Sequence, residues 1–156
     1  MTTISERLAA LGIQLPDVVP PVAAYIPAKA HGDLVFTAGQ LPMVSGALPA
    51  MGKVGDGHGL VPASDANALA RQCALNAIAA AAAAVGGVDR LTGVVKVTGF
   101  VASVADFTGQ PGVVNGASEL LAEVFGEAGV HARSAVGVPV LPLDSPVEVE
   151  VVFSYA

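Results

Sequence analysis

The chain has 156 residues, of which 53% are hydrophobic and 13% charged, with a net charge of −6 and an isoelectric point near 4.8. That length suits one domain, and a composition this apolar excludes disorder. Seven basic residues against thirteen acidic ones, with aromatics at 4%, leave neither a basic footprint nor rings for stacking, so nucleic-acid binding is disfavoured.

In chain order, Thr3 to Leu11 is predicted as a short amphipathic helix with Ile4, Leu8 and Leu11 on one side, stopped by Gly12. The prolines of "QLPDVVPPV" prevent a helix from restarting. "VAAYIPAKAHGDLVFTAGQLP" reads as two strands around a turn at His31-Gly32-Asp33. The Gly/Pro-rich stretch that follows, including residues 47–64, reads as a loop with room for one short strand. Ser64 is the expected N-cap of a helix from Asp65 to about Val85, ended by Gly86-Gly87. Its buried face is expected to be narrow: Leu69, Cys73, Ala77, Ala80 and Ala84.

"TGVVKVTGFVASV" (Thr92 to Val104) is rich in β-branched residues and reads as a strand. A second long helix is predicted from about Pro111, with Asn115 in its first turn and Val114, Ala117, Leu121, Val124 and Phe125 on its apolar stripe. Two strands, "ARSAVGVPVLP" and "VEVEVVFSY", close the chain as a hairpin around Leu143-Asp144-Ser145-Pro146. The order β-β-(β)-α-β-α-β-β implies a single α+β domain over residues 1–156, with two main helices on one face of a mixed sheet. So few charged residues cannot cover a small domain, so a second copy of the chain is expected on the other face.

The longest apolar stretch, Ala77 to Val88, falls short of the roughly 20 residues that span a bilayer and reads as a buried helix. The N-terminus lacks the basic and apolar regions of a secretory signal, and the single Cys73 fits a reducing compartment, so a cytoplasmic protein is expected. One cysteine and three scattered histidines offer no metal-ligand spacing, so no metal is expected.

Chemistry concentrates near the C-terminus. In an extended strand Arg133, Ala135 and Gly137 share one face, which leaves small residues beside a guanidinium. Glu148 and Glu150 share a face of the last strand, so neighbouring strands would pair Arg133 with a glutamate beside a small cavity. Two readings fit: a structural salt bridge, or a planar fork kept for a substrate carboxylate. Tyr25 alone reads equally as a core phenol, Asn115 as a capping or solvated residue, and His131 as a surface residue at a strand entrance. Cys73, on an alanine helix, is expected to be buried and inert.

"ARSAVGVPVLPLDSPVEVEVV" resembles the C-terminal signature of the Rid (YjgF-type) reactive-intermediate deaminase family: Ala-Arg-Ser, an alternating strand, Leu-Pro, a turn, then a Val-Glu-Val-Glu strand. "AAYIPAKAHGDLVFTAGQLP", "ARQCALNAIAAAAAAVGGVDRLTGVVKVTGFVASVADF" and "VVNGASELLAEVFGE" match in order, so the resemblance runs from about Ala23 onward. It implies a chorismate-mutase-like fold and a homotrimer whose intersubunit clefts hydrolyse 2-imino or enamine acids to 2-keto acids and ammonia without a cofactor. By position, Arg133 matches the carboxylate-binding arginine and Glu148 the glutamate near the attacking water. Tyr25 matches the cleft tyrosine, Asn115 the asparagine opening the second helix, and Gly39 the glycine of the Ala-Gly-Gln turn.

Four departures stand out: "AYIP" (Ala24 to Pro27) where the family has Pro-Tyr-Ser-Gln; Ala135 where many members have cysteine, leaving its backbone carbonyl to orient water; a loop over residues 47–64 longer than the usual link; and residues 1–21 as an N-terminal extension. They mark a divergent branch. The readings carried forward are a Rid-like deaminase, a non-catalytic trimer binding a small carboxylate, and a ribonuclease, the last opposed by the acidic composition. No nucleic-acid or membrane partner is expected.

Overall fold

A computed structural model describes every residue except Val19 and Val22, so the helix-breaking reading of "QLPDVVPPV" lies partly outside the described residues. Helix α1 (Ile4–Ala10) opens with a reciprocal cap: the Glu6 N–H donates to Thr3 Oγ1 at 3.2 Å, and the Thr3 N–H donates to the Glu6 carboxylate at 2.8 Å. The Ser5 N–H and hydroxyl both donate to Asp89 at 2.7 Å, tying this helix to the body of the protein. Leu8 is buried, whereas Leu11 lies just past the helix and faces solvent, so the expected stripe is shorter by one residue.

Strands β1 (Ala28–His31) and β2 (Leu34–Thr37) form the expected hairpin, with Gly32 at φ 62° in the two-residue turn. Helix α2 (Ala63–Val85) starts two residues before the predicted Asp65. Its cap is Pro62, with no side-chain hydrogen bond, and Ser64 lies inside the first turn. Proline's fixed φ orients the chain for a helix by itself. The buried face of α2 is also wider than predicted: Ala66, Ala70, Ala74, Ala79 and Ala82 are buried, while Ala84 is exposed. The cause is that α2 packs on both the sheet and the next long helix, α3 (Gln110–Phe125). All 23 residues of α2 together are long and apolar enough to cross a membrane, with mean hydropathy 1.4 over the best window, but two thirds of that window is buried inside the fold.

α2 and α3 run parallel in close contact. A Cβ on Gly116 would collide with the backbone carbonyl of Asn67, and Asn67 Nδ2 donates to the Gly112 carbonyl at 2.8 Å. One turn further on, Arg71 pairs with Glu123 at 3.2 Å, the one ion pair among the described residues. Strand β3 (Leu91–Ala102) passes beneath, and Gly99 is bare because Val114 of α3 occupies the space its side chain would take.

With β4 (Ala132–Val138) and β5 (Val147–Tyr155), the sheet order is β1-β2-β5-β3-β4. The expected C-terminal hairpin does not form. β4 pairs parallel to β3 after the α3 crossover, and β5 pairs antiparallel to the other edge of β3. The intervening segment carries Pro139, Pro142 and Pro146, which cannot donate to a ladder, and its length carries the chain past β3. Val35, Val97, Val101, Val147, Val149, Val151 and Phe153 point at the helices and are essentially fully buried. On the opposite face no helix covers Phe36 and Val136, each 44% exposed. The fold is thus a mixed five-stranded sheet with α2 and α3 on one side.

Candidate functional site

Arg133 lies on β4, the edge strand, opposite Val97 of β3 and on the helix-facing side. Its Nη1 donates to Asn115 Oδ1 at 2.7 Å and to Ser118 Oγ at 3.3 Å, both from α3. Those two residues are three apart and so share a helix face. Asn115 stands in the second turn of α3 rather than the first. The helix begins at Gln110, before Pro111, where the Gln110 amide donates back to the Phe107 carbonyl at 2.7 Å.

The contact continues beyond Ser118. Its Oγ lies 2.9 Å from His131 Nε2, and His131 Nδ1 lies 2.6 Å from the Gly129 carbonyl oxygen. A carbonyl only accepts, so Nδ1 carries a proton; in the neutral ring Nε2 then accepts from Ser118. His131 is therefore no loose surface residue: two residues before Arg133, it alternates onto the same side of the chain and is partly buried. Ala135 follows on that face, partly buried against the core. The room expected at Gly137 is already taken, since a Cβ there would lie 2.7 Å from Gln110 Nε2 and 2.9 Å from Ser103 Oγ.

A second group of residues gathers beside the β2–β5 pair, away from the β4 edge. Tyr25, half exposed, and Gly39 border a cavity of about 190 Å3 that also touches Pro27, Met43 and Asn76. Buried Asn76 holds this wall in place, its amide donating to the carbonyls of Leu41 at 2.9 Å and Met43 at 3.1 Å. Gly39 packs directly on Glu148: a Cβ there would come within 2.8 Å of the carboxyl carbon. Partial burial pushes the Glu148 carboxyl above the usual carboxylate range, and the neighbouring Glu150 charge adds to the effect. Fully buried Cys73 has its thiol raised by desolvation first and by Glu148 second, and stays inert.

One expectation fails within a single chain. Arg133 and Glu148 do not form a pair, because β3 separates their strands and the register puts them on opposite faces. Val97 aligns with both Arg133 and buried Val151, while Glu148 aligns with Phe100 on the uncovered face. No carboxylate lies within ion-pair range of Arg133 among the described residues. The chain therefore carries two separate groups: Arg133, Asn115, Ser118 and His131 at the β4 edge, and Tyr25, Gly39 and Glu148 at the β2–β5 side.

Residues 5–155 match the family model described as "YjgF/chorismate mutase-like, putative endoribonuclease". The chain belongs to the YjgF/chorismate mutase-like family. It is 40% identical to Protein TCP17 of Trypanosoma cruzi over 94% of this chain and 91% of that protein. Among solved structures, it resembles a "putative endoribonuclease" from Shewanella oneidensis with TM-score 0.90, 34% identity and coverage of 97% and 99%. Escherichia coli YjgF matches with TM-score 0.63 and 28% identity over 88% of this chain and 93% of that one.

The chain thus lies nearer the Shewanella protein than YjgF itself, in keeping with a divergent branch of the YjgF-like family. Sequence reasoning passed over Ser118 and Asn76, and misplaced His131. Spacing held the signal for two of them: Ser118 is three residues from Asn115, and His131 is two from Arg133. Asn76, a lone amide in an alanine run, betrays its role only once the Leu41 and Met43 carbonyls are placed beside it.

Proposed function

We propose that this protein is a cofactor-independent deaminase of small 2-imino or enamine carboxylates, assembled as a homotrimer with its sites between subunits. The observation that carries the reading is the Arg133 guanidinium, oriented by Asn115 and Ser118 yet without a carboxylate partner among the described residues. A partly buried charge left in this way serves poorly as a structural tie and well as a bidentate carboxylate receptor. An exposed apolar sheet face supports the assembly part of this reading. The uncovered face carries Phe36, Phe100, Val136 and Val152, and a neighbour packed there would have to reach round the β4 edge strand to bring its Tyr25, Gly39 and Glu148 toward this protomer's Arg133.

The chemistry asks little of the protein. A protonated imine carbon is already electrophilic, so anchoring the carboxylate on Arg133 and placing one water beside that carbon supplies most of what is needed. Tyr25 and Asn115 border the ligand, and the Ala135 backbone lines the space beside the guanidinium. Gly39 gives Glu148 room to lie against the site, where a carboxyl of raised proton affinity exchanges protons with the reacting centre.

A second reading, a non-catalytic trimer that binds a small carboxylate, draws support from the apolar surroundings of Tyr25, where Ile26 and Pro27 follow it. One experiment separates the two. An amino-acid oxidase generates 2-imino acids from a panel of amino acids, and their decay is followed with and without the protein, alongside calorimetric binding of pyruvate. Accelerated decay that requires Arg133 supports the deaminase, whereas pyruvate binding without acceleration supports the binding protein.

A further inference from the structure

Water adding to an imine must lose a proton, and a carboxyl brought by a neighbouring subunit need not be the only group that takes it. The groups that touch Arg133 offer their own proton acceptor. We propose that Ser118 and His131 form a proton relay in the Arg133 site, with Ser118 contacting the attacking water and His131 Nε2 receiving its proton through the serine hydroxyl. This assignment rests on the deaminase reading and deepens it by naming the base.

The geometry is that of a hydroxyl activated by an oriented imidazole: Ser118 Oγ at 2.9 Å from Nε2, with Nδ1 fixed by the Gly129 carbonyl at 2.6 Å. The fixed Nδ1 proton leaves Nε2 as the acceptor, so the Ser118 proton already points the way the relay needs. Arg133 Nη1 at 3.3 Å from the same Oγ places the relay beside the carboxylate anchor. In the reaction the water oxygen bonds to the imine carbon while the C=N π pair moves to nitrogen. The water proton passes to Ser118 as the Ser118 proton passes to His131, giving a carbinolamine and an imidazolium. The imidazolium returns that proton to the amine nitrogen. The C–N bond then breaks as the hydroxyl oxygen closes the carbonyl, and the departing ammonia takes the hydroxyl proton.

Few other charges bear on His131. On β4 the neighbour is Arg133, which donates to the same Ser118 hydroxyl. On α3, Glu119 is exposed and Glu123 is occupied by Arg71; on the turn at Gly126–Gly129, Glu127 is exposed. Lys96 of β3 bonds Ser134 on the sheet's other face.

The test is the pH dependence of imine hydrolysis in the full-length protein, for wild type, His131→Gln and Ser118→Ala, with folding checked by thermal melting. Wild-type kcat/KM should fall toward acid pH, because an Nε2 that has taken up a proton can no longer accept one from Ser118. Both variants should lose about 10²-fold or more in kcat and flatten that acid limb, with a smaller loss in pyruvate affinity, since Asn115 still holds Arg133 at 2.7 Å. Ser118→Ala keeps the His131–Gly129 contact, so it remains informative if His131→Gln melts early. Variants that keep the wild-type rate and pH profile overturn the relay and leave the deaminase reading standing. A wild-type protein without any turnover overturns both.

Discussion

Gly39→Ala separates the site from the scaffold. A Cβ at this position would sit 2.8 Å from the Glu148 carboxyl carbon and 3.2 Å from its Cγ, closer than such atoms approach, so the glutamate side chain must swing aside. Gly39 does not have the positive φ that would make alanine a strained residue there. The obstacle is also the end of a flexible side chain rather than a backbone. The stability cost should lie at or below the lower end of the range for overpacking, about 1 kcal/mol, or a fall of about 2–4 °C in Tm. The functional cost should be larger, because displacing a reacting carboxyl by about 1 Å is worth on the order of 10²-fold in rate.

Gly116→Ala is the control. Its Cβ meets the Asn67 backbone, with the carbonyl carbon 2.8 Å away, between two packed helices that cannot yield as a side chain does. That substitution should cost about 3 kcal/mol or more and lower Tm well beyond the first. Chemical denaturation and oxidase-coupled imine decay on both variants give the comparison. A Gly39→Ala protein that melts as early as Gly116→Ala, or that hydrolyses imines at the wild-type rate, would falsify the placement of Glu148 in the site.

Arg133→Lys should keep the fold but weaken pyruvate binding, since an ammonium cannot offer the paired donors of a guanidinium; calorimetry showing unchanged affinity contradicts the carboxylate receptor. The raised Glu148 carboxyl favours the folded state when protonated, so wild-type stability should fall as pH rises from about 4.3, the ordinary glutamate value, through its raised value. Glu148→Gln should remove that slope, and denaturation curves from pH 4 to 8 that run parallel for both proteins would contradict it. With a net charge of −6 the protein should retain RNA weakly at low salt, and tight retention with a steep salt slope would support the ribonuclease reading.

Much of this architecture was legible in the residues because periodicity and turn chemistry act locally. The Gly32-Asp33 turn, the alanine helix ending at Gly86 and the Val-Glu-Val-Glu strand all stand where their patterns put them. The failures are non-local. Nothing in residues 132–155 reveals that β3 inserts between the last two strands, and that insertion separates Arg133 from Glu148. Alternation correctly gave the companions of Arg133 along its own strand, but the partners across the helix, Ser118 through Asn115, depend on how α3 lies over β4. Motif resemblance named Tyr25, Gly39, Asn115, Arg133 and Glu148 together, and the fold divides them into two groups within one chain.

That division makes subunit mixing the most direct test of the account. Arg133→Ala and Glu148→Gln proteins, each impaired alone, should regain imine hydrolysis when unfolded together and refolded as mixed oligomers. If each site takes Arg133 from one subunit and Glu148 from its neighbour, random mixing restores about one site in four. Sedimentation of the wild type should give a trimer at micromolar concentration. A mixture no more active than its parents, in oligomers proven to be mixed, would contradict the site between subunits.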